Sequence, residues 1–122
     1  MLNDNEALHA FFLSLTGTTH DYKEEWTADR YMIGDKMYAM LGGDKEGKAI
    51  LTVKAEPSYA EELRTEYEAI VPGYYMNKTH WNSIYRDAGL PDELIAKLIR
   101  HSYEQVLEKL PKRTQREILS DY

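Results

Sequence analysis

The chain has 122 residues, a formal net charge of −6 and no cysteine. This length suits one domain with its own hydrophobic core. The lack of cysteine excludes disulfide bonds, thiolate metal sites and a thiol nucleophile, and favours a reducing, cytoplasmic environment. No apolar run approaches the roughly 20 residues of a membrane span, and the N-terminus lacks the pattern of a signal peptide, so we expect no membrane attachment.

The first predicted element is a helix with Asn3 or Asp4 as its N-cap. Apolar residues follow at helical spacing and predict a core-facing stripe of Leu8, Phe11, Phe12 and Leu15. Gly17 is the expected end of this helix. Residues 18–29 are mostly polar, and we expect a loop there with a short strand around Lys23–Thr27.

Two strands and a tight turn are predicted next. Gly34-Asp35 separates two apolar runs, which is typical of a β-hairpin with a two-residue turn. Residues 42–47 predict a solvated hairpin tip and lack the features of a phosphate-binding loop. Residues 48–56 predict a strand whose side chains alternate between two faces. One face has Ala49, Leu51 and Val53, and the other has Ile50, Thr52 and Lys54.

The middle of the chain predicts a helix followed by a second hairpin. Ser58 is the expected N-cap of a helix over Tyr59–Tyr67. Val71-Pro72-Gly73-Tyr74 fits a type II turn, because glycine accepts positive φ at the third position. We expect Tyr74–Met76 and His80–Tyr85 to form strands that pair across an Asn77-Lys78 turn.

The last predicted element is a long helix, which completes the predicted domain. It begins at Leu90-Pro91-Asp92-Glu93 and ends at Pro111. We place the domain at residues 1–112, with residues 113–122 as a tail or a short extra helix. The predicted order is one helix, three strands, one helix, two strands and one helix. This order indicates a two-layer α+β domain with a mainly antiparallel sheet.

Several segments resemble, in the right order, those of the MmcQ/YjbR family. The most specific is Val71–Asn82, with the pattern Pro-Gly-Tyr-x-x-Asn-Lys-x-His-Trp. Further matches are Gly34–Ala39, Ala60–Arg64, Leu90–Leu94 and His101–Lys112. The matches extend from about Leu13 to Lys112. The chain departs from the family where Thr16 replaces a usual proline and Tyr75 replaces a frequent histidine.

The resemblance implies an α-β(3)-α-β(2)-α fold, similar to that of type III secretion chaperones. It also implies DNA binding through a double-wing arrangement of hairpins. Cations would contact phosphates, and asparagine would read base edges. The candidate contact residues are Lys36, Lys45, Lys48, Asn77, Lys78, His80, Asn82 and Arg86. The acidic net charge argues against this interpretation unless the cations cluster on one surface.

A second interpretation stays open beside DNA binding. Ten tyrosines in 122 residues favour a protein-interaction or chaperone-like module, including a homodimer. Four scattered histidines without metal-ligand spacing, and the lack of a nucleophile or nucleotide motif, argue against an enzyme, a metal or a cofactor. A pair of one histidine and one carboxylate that only folding would bring together is the remaining route to catalysis.

Overall fold

The computed structural model describes residue 2 and residues 4–120. The strands are Thr19–Lys23 (β1), Ala28–Ile33 (β2), Lys36–Gly43 (β3), Ala49–Lys54 (β4), Ile70–Pro72 (β5) and Trp81–Tyr85 (β6). The helices are Asn5–Ser14 (α1), Pro57–Glu66 (α2), Asp92–Lys109 (α3) and Lys112–Ser120 (α4). The strands form one antiparallel sheet in the order β1-β2-β3-β4-β6-β5. The predicted α+β class is confirmed.

The beginning of the sheet differs from the prediction. Asp4 caps α1 by accepting the Glu6 N–H at 3.4 Å, while Asn3 lies outside the described residues. The short strand expected at Lys23–Thr27 is wrong, since β1 occupies Thr19–Lys23 and a 3₁₀ turn follows at Glu24–Trp26. The sequence does not reveal β1 as a strand, because this edge strand packs little apolar surface and its side chains are polar and mainly exposed.

The β2–β3 hairpin forms at the predicted place. Gly34 and Asp35 both have positive φ, at 55° and 65°, as a type I′ turn requires. A bulge follows: Tyr31 pairs with Ala39 but Met32 pairs with Met37, so Tyr38 is an extra residue. The bulge lets Tyr38 and Ala39 both face the core.

The helices cover one face of the sheet, which we call the helix face. Its core joins α1, α2 and α3 to the strands through Leu8, Phe12, Tyr31, Tyr38, Leu51, Val53, Leu63, Ile70, Ile84 and Ile99. Ser102 of α3 fastens two strands, since its hydroxyl donates to the Tyr38 carbonyl at 2.5 Å and accepts the Lys54 N–H at 2.8 Å. The predicted alternation of the β4 side chains agrees with this arrangement, since Leu51 and Val53 lie in this core.

The cap of α2 lies two residues before the predicted cap, Ser58. Pro57 is the first helical residue, and the Glu56 carboxylate accepts the N–H groups of Ser58 and Tyr59 at 3.3 and 3.2 Å. The prediction that Ser58 is the N-cap is therefore wrong. Proline at the first helical position fits this cap, because it lacks the N–H that would otherwise need a partner.

The second hairpin also differs from the prediction. Val71 and Pro72 belong to β5, which pairs with β6, and Gly73 does not have positive φ. The type II turn and the strand at Tyr74–Met76 are therefore wrong. Glycine is required at position 73 by close packing instead: a Cβ atom there would lie 2.7 Å from the Cβ of Trp81.

The C-terminal segment folds back on the domain. The Gln115 side chain donates to the carbonyls of Glu108 and Leu110 at 3.2 and 2.8 Å, which satisfies the end of α3. Ile118 packs on Gly17. Residues 112–120 are thus helical. Within the described part of the chain, no helix is long and apolar enough to span a membrane.

Candidate binding cleft on the open face of the sheet

The face opposite the helices, here called the open face, is partly covered by the segment Gly73–His80, here called the cover loop. The loop leaves β5 at Gly73, whose N–H donates to the carbonyl of Trp81, the first residue of β6, at 2.7 Å. It then crosses the sheet: the Tyr74 N–H donates to Ser83 Oγ at 3.0 Å, and the Tyr74 hydroxyl accepts the Lys45 N–H at 3.3 Å. The cover loop therefore reaches the β3–β4 turn.

Arg64 of α2 holds the far end of the cover loop. Its guanidinium donates to Asn82 Oδ1 at 2.5 Å, to the Trp81 carbonyl at 3.2 Å and to the Lys78 carbonyl. Asn82 in turn donates to the Ala60 carbonyl at 3.2 Å. One planar cation thus joins the helix, the loop and the strand, as the fixed fork of arginine donors permits.

Two polar residues of the cover loop bond within the loop itself. Lys78 Nζ donates to the Gly73 carbonyl at 2.8 Å, which closes the loop on its own start. Asn77 Oδ1 accepts the Thr79 N–H at 2.8 Å, a side-chain turn that asparagine favours. Both side chains are exposed, but their polar atoms stabilise the loop conformation.

An apolar cleft of about 360 Å³ lies between the cover loop and the 3₁₀ turn after β1. Tyr75 and Met76 form one wall, and Trp26 forms the other. The floor is apolar and consists of two glycines and three residues with buried side chains: Gly42, Gly43, Ala28, Met40 and Ile50. Trp26 is 49% exposed and Tyr75 is 60% exposed, so both walls offer large apolar surfaces to solvent.

Trp26 is held by its neighbours on the edge of the sheet. Lys23 Nζ and Arg30 Cζ lie 5.4 and 5.7 Å from its ring centroid, within the range of cation–π attraction. Arg30 also donates to both carboxylate oxygens of Asp21, at 2.8 and 2.5 Å. Thr27 follows with φ at 49°, a region that β-branched residues rarely occupy.

Hydrogen bonds order the β3–β4 turn beside the cleft. The Asp44 carboxylate accepts the N–H groups of Lys48 and Glu46, each at 2.9 Å, and the Tyr85 hydroxyl at 2.9 Å. The Lys48 N–H and the Tyr85 hydroxyl hold the pKa of Asp44 below its usual value. Asp44 in turn raises the pKa of Tyr85 to about 12. The turn is thus fixed in shape, with a carboxylate at its centre.

The structure does not bring the eight candidate DNA-contact residues onto one surface. Lys36 and Lys45 lie at opposite ends of β3, which has eight residues and thus spans roughly 25 Å. Asn82 is only 1% exposed, and its amide bonds to α2, so it cannot read a base edge. Arg86 lies half-buried at a pocket on the helix face.

The other candidates divide between the two ends of the sheet. Lys48 is exposed in the same turn as Lys45, near the cleft. Asn77 and Lys78 are exposed on the cover loop, at the end of the sheet where β6 begins. His80 is half-buried there, and its carbonyl accepts the Ala55 N–H at 2.9 Å. Lys45 and Lys48 are therefore the candidates best placed for a ligand that approaches the cleft.

Three residues of this region did not stand out in the sequence. Trp26 is preceded by two glutamates and looks like an isolated loop anchor. Tyr75 occupies a position that seemed to belong to a strand, and Arg64 has the spacing of an ordinary helical surface residue. The only local signal for the two cleft walls is that Trp26 and Tyr75 are large aromatic residues in segments whose apolar residues do not alternate.

The described residues contain no group of three or more histidine, aspartate or glutamate side chains placed to hold a metal ion. The cleft is lined by a single carboxylate, that of Glu25, among otherwise apolar or small residues. Its lining therefore suits contact with apolar groups.

Known proteins are similar to this chain in sequence. The family model described as YjbR matches residues 13–105. The uncharacterized protein YjbR of Escherichia coli (strain K12) is 30% identical over 101 residues, covering 83% of this chain and 85% of that protein. The uncharacterized protein YyaQ of Bacillus subtilis (strain 168) is 34% identical over 100 residues, covering 71% of this chain and 84% of that protein.

Solved structures share the fold. The crystal structure of protein DR2400 from Deinococcus radiodurans matches with a TM-score of 0.83 and 28% identity, covering 93% of this chain and 86% of that one. A crystal structure of a Pseudomonas syringae protein matches with a TM-score of 0.73 and 23% identity, covering 84% of this chain and 97% of that one. The second likeness concerns the fold alone.

Proposed function

This chain belongs to the YjbR family, and from that premise we propose that it is a protein-interaction module. The open-face cleft binds an apolar or aromatic side chain from an extended segment of a partner protein. The single observation that carries this proposal is the exposure of Trp26 and Tyr75 on the two walls of an apolar cleft. Large exposed aromatic residues are typical of the energetic centres of protein interfaces.

The dimensions of the cleft support an occupant of this kind. A volume of about 360 Å³ lies at the small end of ligand pockets and suits one or two side chains. Gly42 and Gly43 place no side chain on the floor, so the backbone of a partner segment can approach closely. The buried side chains of Met40 and Ile50 supply the apolar contact surface.

The charges around the cleft support a protein partner more than a polyanion. Cations and carboxylates alternate along the β3–β4 turn, where Asp44, Lys45, Glu46 and Lys48 follow one another. Glu25 adds a carboxylate to the lining. Phosphate binding needs clustered cations that neutralise several charges, whereas mixed charges are typical of the polar rim of a protein interface.

DNA binding is the second candidate function, and one observation favours it. Lys45 and Lys48 are exposed beside a cleft whose two walls are aromatic. Unpaired bases stack on aromatic side chains while nearby cations contact the phosphates. On this interpretation the ligand is single-stranded DNA rather than duplex DNA.

The experiment selects peptides from a random library displayed on phage, with the full chain immobilised. Each selected peptide is then measured by calorimetry against the wild type and Tyr75→Ser. We expect enriched peptides with an aromatic or aliphatic anchor, and at least a tenfold affinity loss in Tyr75→Ser, since interface aromatics contribute about 2 kcal/mol or more. Equal affinity for the two chains would contradict the proposal.

Tyr22→Ser is the matched control. Tyr22 is 54% exposed in β1 and does not line the cleft, so its loss should leave peptide affinity unchanged. Oligo-dT and duplex DNA are titrated in parallel at two salt concentrations. Binding of oligo-dT that weakens with salt and is lost in a Lys45→Gln, Lys48→Gln double variant would favour the second candidate instead.

A further inference from the structure

Each aromatic wall of the open-face cleft carries a polar group that can bond to an occupant. Across residue 2 and residues 4–120, neither the Trp26 indole N–H nor the Tyr75 hydroxyl has a hydrogen-bond partner. Lys23 and Arg30 lie near the Trp26 ring, yet Trp26 is still 49% exposed. An indole N–H donates, and a phenol hydroxyl donates or accepts. The walls therefore offer apolar ring surface together with two hydrogen-bond donors.

The backbone of the cleft floor is occupied by the sheet. The floor residues belong to β2, β3 and β4, and each of these strands pairs with a neighbour on both sides. A partner segment cannot join the sheet at this place, because strand addition needs an exposed edge. The occupant must therefore have a backbone that needs no hydrogen bonds from the floor.

The size of the cleft argues against a helical occupant. A helix is roughly 10–12 Å wide with its side chains and docks through anchors spread over about two turns. The cleft, at about 360 Å³, holds one or two side chains. A polyproline II segment meets both conditions, because it is narrow and its backbone has no internal hydrogen bonds. Its carbonyls stay free to accept from the donors on the cleft walls.

The wall formed by Trp26 belongs to an acidic segment, since residues 21–30 contain four carboxylates and two cations. Arg30 is engaged by both carboxylate oxygens of Asp21. Glu25 lines the cleft, and its side chain is 73% exposed, with Lys23 Nζ 3.9 Å away. Such a long, exposed contact is weak, so the Glu25 carboxylate can accept from a second cation. A basic residue of the partner complements this wall.

We propose that the partner segment is rich in proline, adopts the polyproline II conformation and has a basic residue beside its prolines. This inference rests on the proposed function and specifies the chemistry of the partner. Proline rings pack between Trp26 and Tyr75, and the segment carbonyls accept from the indole N–H and the phenol hydroxyl. The basic residue pairs with Glu25. Aromatic-lined grooves suit such segments, because their conformation is formed before binding.

Nuclear magnetic resonance titrations of the full chain test this inference with a blocked peptide in which one arginine precedes a run of prolines. The indole N–H signal of Trp26 reports on the cleft, and we expect it to shift saturably at millimolar peptide concentration. A peptide with alanines in place of the prolines should bind at least about tenfold more weakly, because it loses more conformational freedom on binding. Equal affinity for the two peptides would overturn the inference.

Two variants test the contacts with the Trp26 wall by calorimetry. Trp26→Phe keeps an aromatic ring without the indole donor and should weaken the proline peptide about twofold to tenfold. Glu25→Lys should reverse the charge preference, so that a peptide with glutamate in place of the arginine binds about twofold to fivefold more tightly than the arginine peptide. Glu62→Lys, at an exposed position of α2 outside the cleft, should keep the preference for arginine. The same preference in Glu25→Lys would contradict the inference.

The outcomes separate this inference from the proposed function. Selected peptides that require Tyr75 but contain no proline would overturn the polyproline assignment and leave the cleft as a partner site. If neither selected nor synthetic peptides distinguish the wild type from Tyr75→Ser, both the proposed function and this inference fail. Enrichment of proline beside a basic residue in peptides that require Tyr75 is the result that we expect.

Discussion

The backbone of Gly73 lies directly against the Cβ of Trp81. The Gly73 N–H donates to the Trp81 carbonyl at 2.7 Å, and a Cβ atom built on Gly73 would lie 2.7 Å from Trp81 Cβ and 2.9 Å from that carbonyl oxygen. This approach sets the position at which the cover loop leaves β5. Val71–Asn82, the segment with the most specific family pattern, therefore has a structural role: it fixes where the cover loop begins.

Gly73→Ala should destabilise the chain by about 1–3 kcal/mol, the usual effect of an extra methyl group in a tightly packed site. The strain cannot be relieved by a side-chain rotation, since the nearest atoms belong to or adjoin the backbone of Trp81. Urea denaturation measures the change. Gly43→Ala is the control: it adds the same methyl group where the nearest heavy atom is 3.5 Å away, so it should be tolerated.

Arg64→Lys should destabilise the chain by about 1–3 kcal/mol, because one ammonium cannot replace three directed hydrogen bonds and Asn82 Oδ1 would lose its partner. Denaturant unfolding of Arg64→Lys and of Arg116→Lys, an exposed arginine on α4, gives the comparison. Equal stability of the two variants would contradict the role of Arg64 as the residue that holds the cover loop.

Thr27→Asn should stabilise the chain by up to about 1 kcal/mol, because asparagine accepts the left-handed backbone more readily than a β-branched residue. The strain is indicated by the φ of 49° at Thr27. Calorimetric melting measures the effect. Thr19→Asn replaces a threonine in the extended strand β1, where the same change should be neutral or destabilising.

The stability of the chain should fall as His101 becomes protonated. His101 Nε2 accepts the Glu56 N–H at 3.2 Å, a bond that only the unprotonated nitrogen can make. Burial lowers the pKa of His101 below its usual value, although nearby Glu104, Glu56 and Glu108 oppose this and Lys97 adds to it. The unfolded chain therefore takes up this proton more readily than the folded chain.

It follows that the stabilisation is complete above a pH of about 6.5 and is lost as the pH falls below it, toward the lower pKa of the folded state. Melting temperatures of the wild type and His101→Gln, measured from about pH 8 to about pH 5, test this. The wild type should lose more stability than the variant. Parallel curves would contradict the assignment. The lowered pKa of Glu56 acts at lower pH and is common to both chains.

Local signals predicted those parts of the fold that local chemistry determines. Gly34-Asp35 has the composition of a type I′ turn, and both residues adopt the required φ. The alternation of side chains along residues 48–56 predicts which face of β4 each residue occupies, because successive side chains of a strand point to opposite faces of the sheet. The predicted cap of α2 lies two residues too late, since glutamate is a less common cap than serine and the strand predicted over residues 48–56 includes Glu56.

The cleft could not be predicted, because tertiary contacts create it. Tyr74, Tyr75 and Met76 have the composition of a strand, yet they cross the open face and bond to Ser83 and the β3–β4 turn. Asn82 is a candidate DNA contact by residue type, but its partners Arg64 and Ala60 lie on α2, far away in sequence. The candidate DNA contacts share a residue type rather than a surface, since β3 separates Lys36 from Lys45 by its whole length.

The central claim is that the specific family segment shapes the cover loop, while the exposed aromatic residues make the contact with a partner. The most direct test is the affinity of a selected peptide for Tyr75→Ser and for His80→Gln, measured by calorimetry on chains of verified stability. We predict at least a tenfold loss for Tyr75→Ser and no change for His80→Gln. A loss in His80→Gln with full affinity in Tyr75→Ser would contradict the claim.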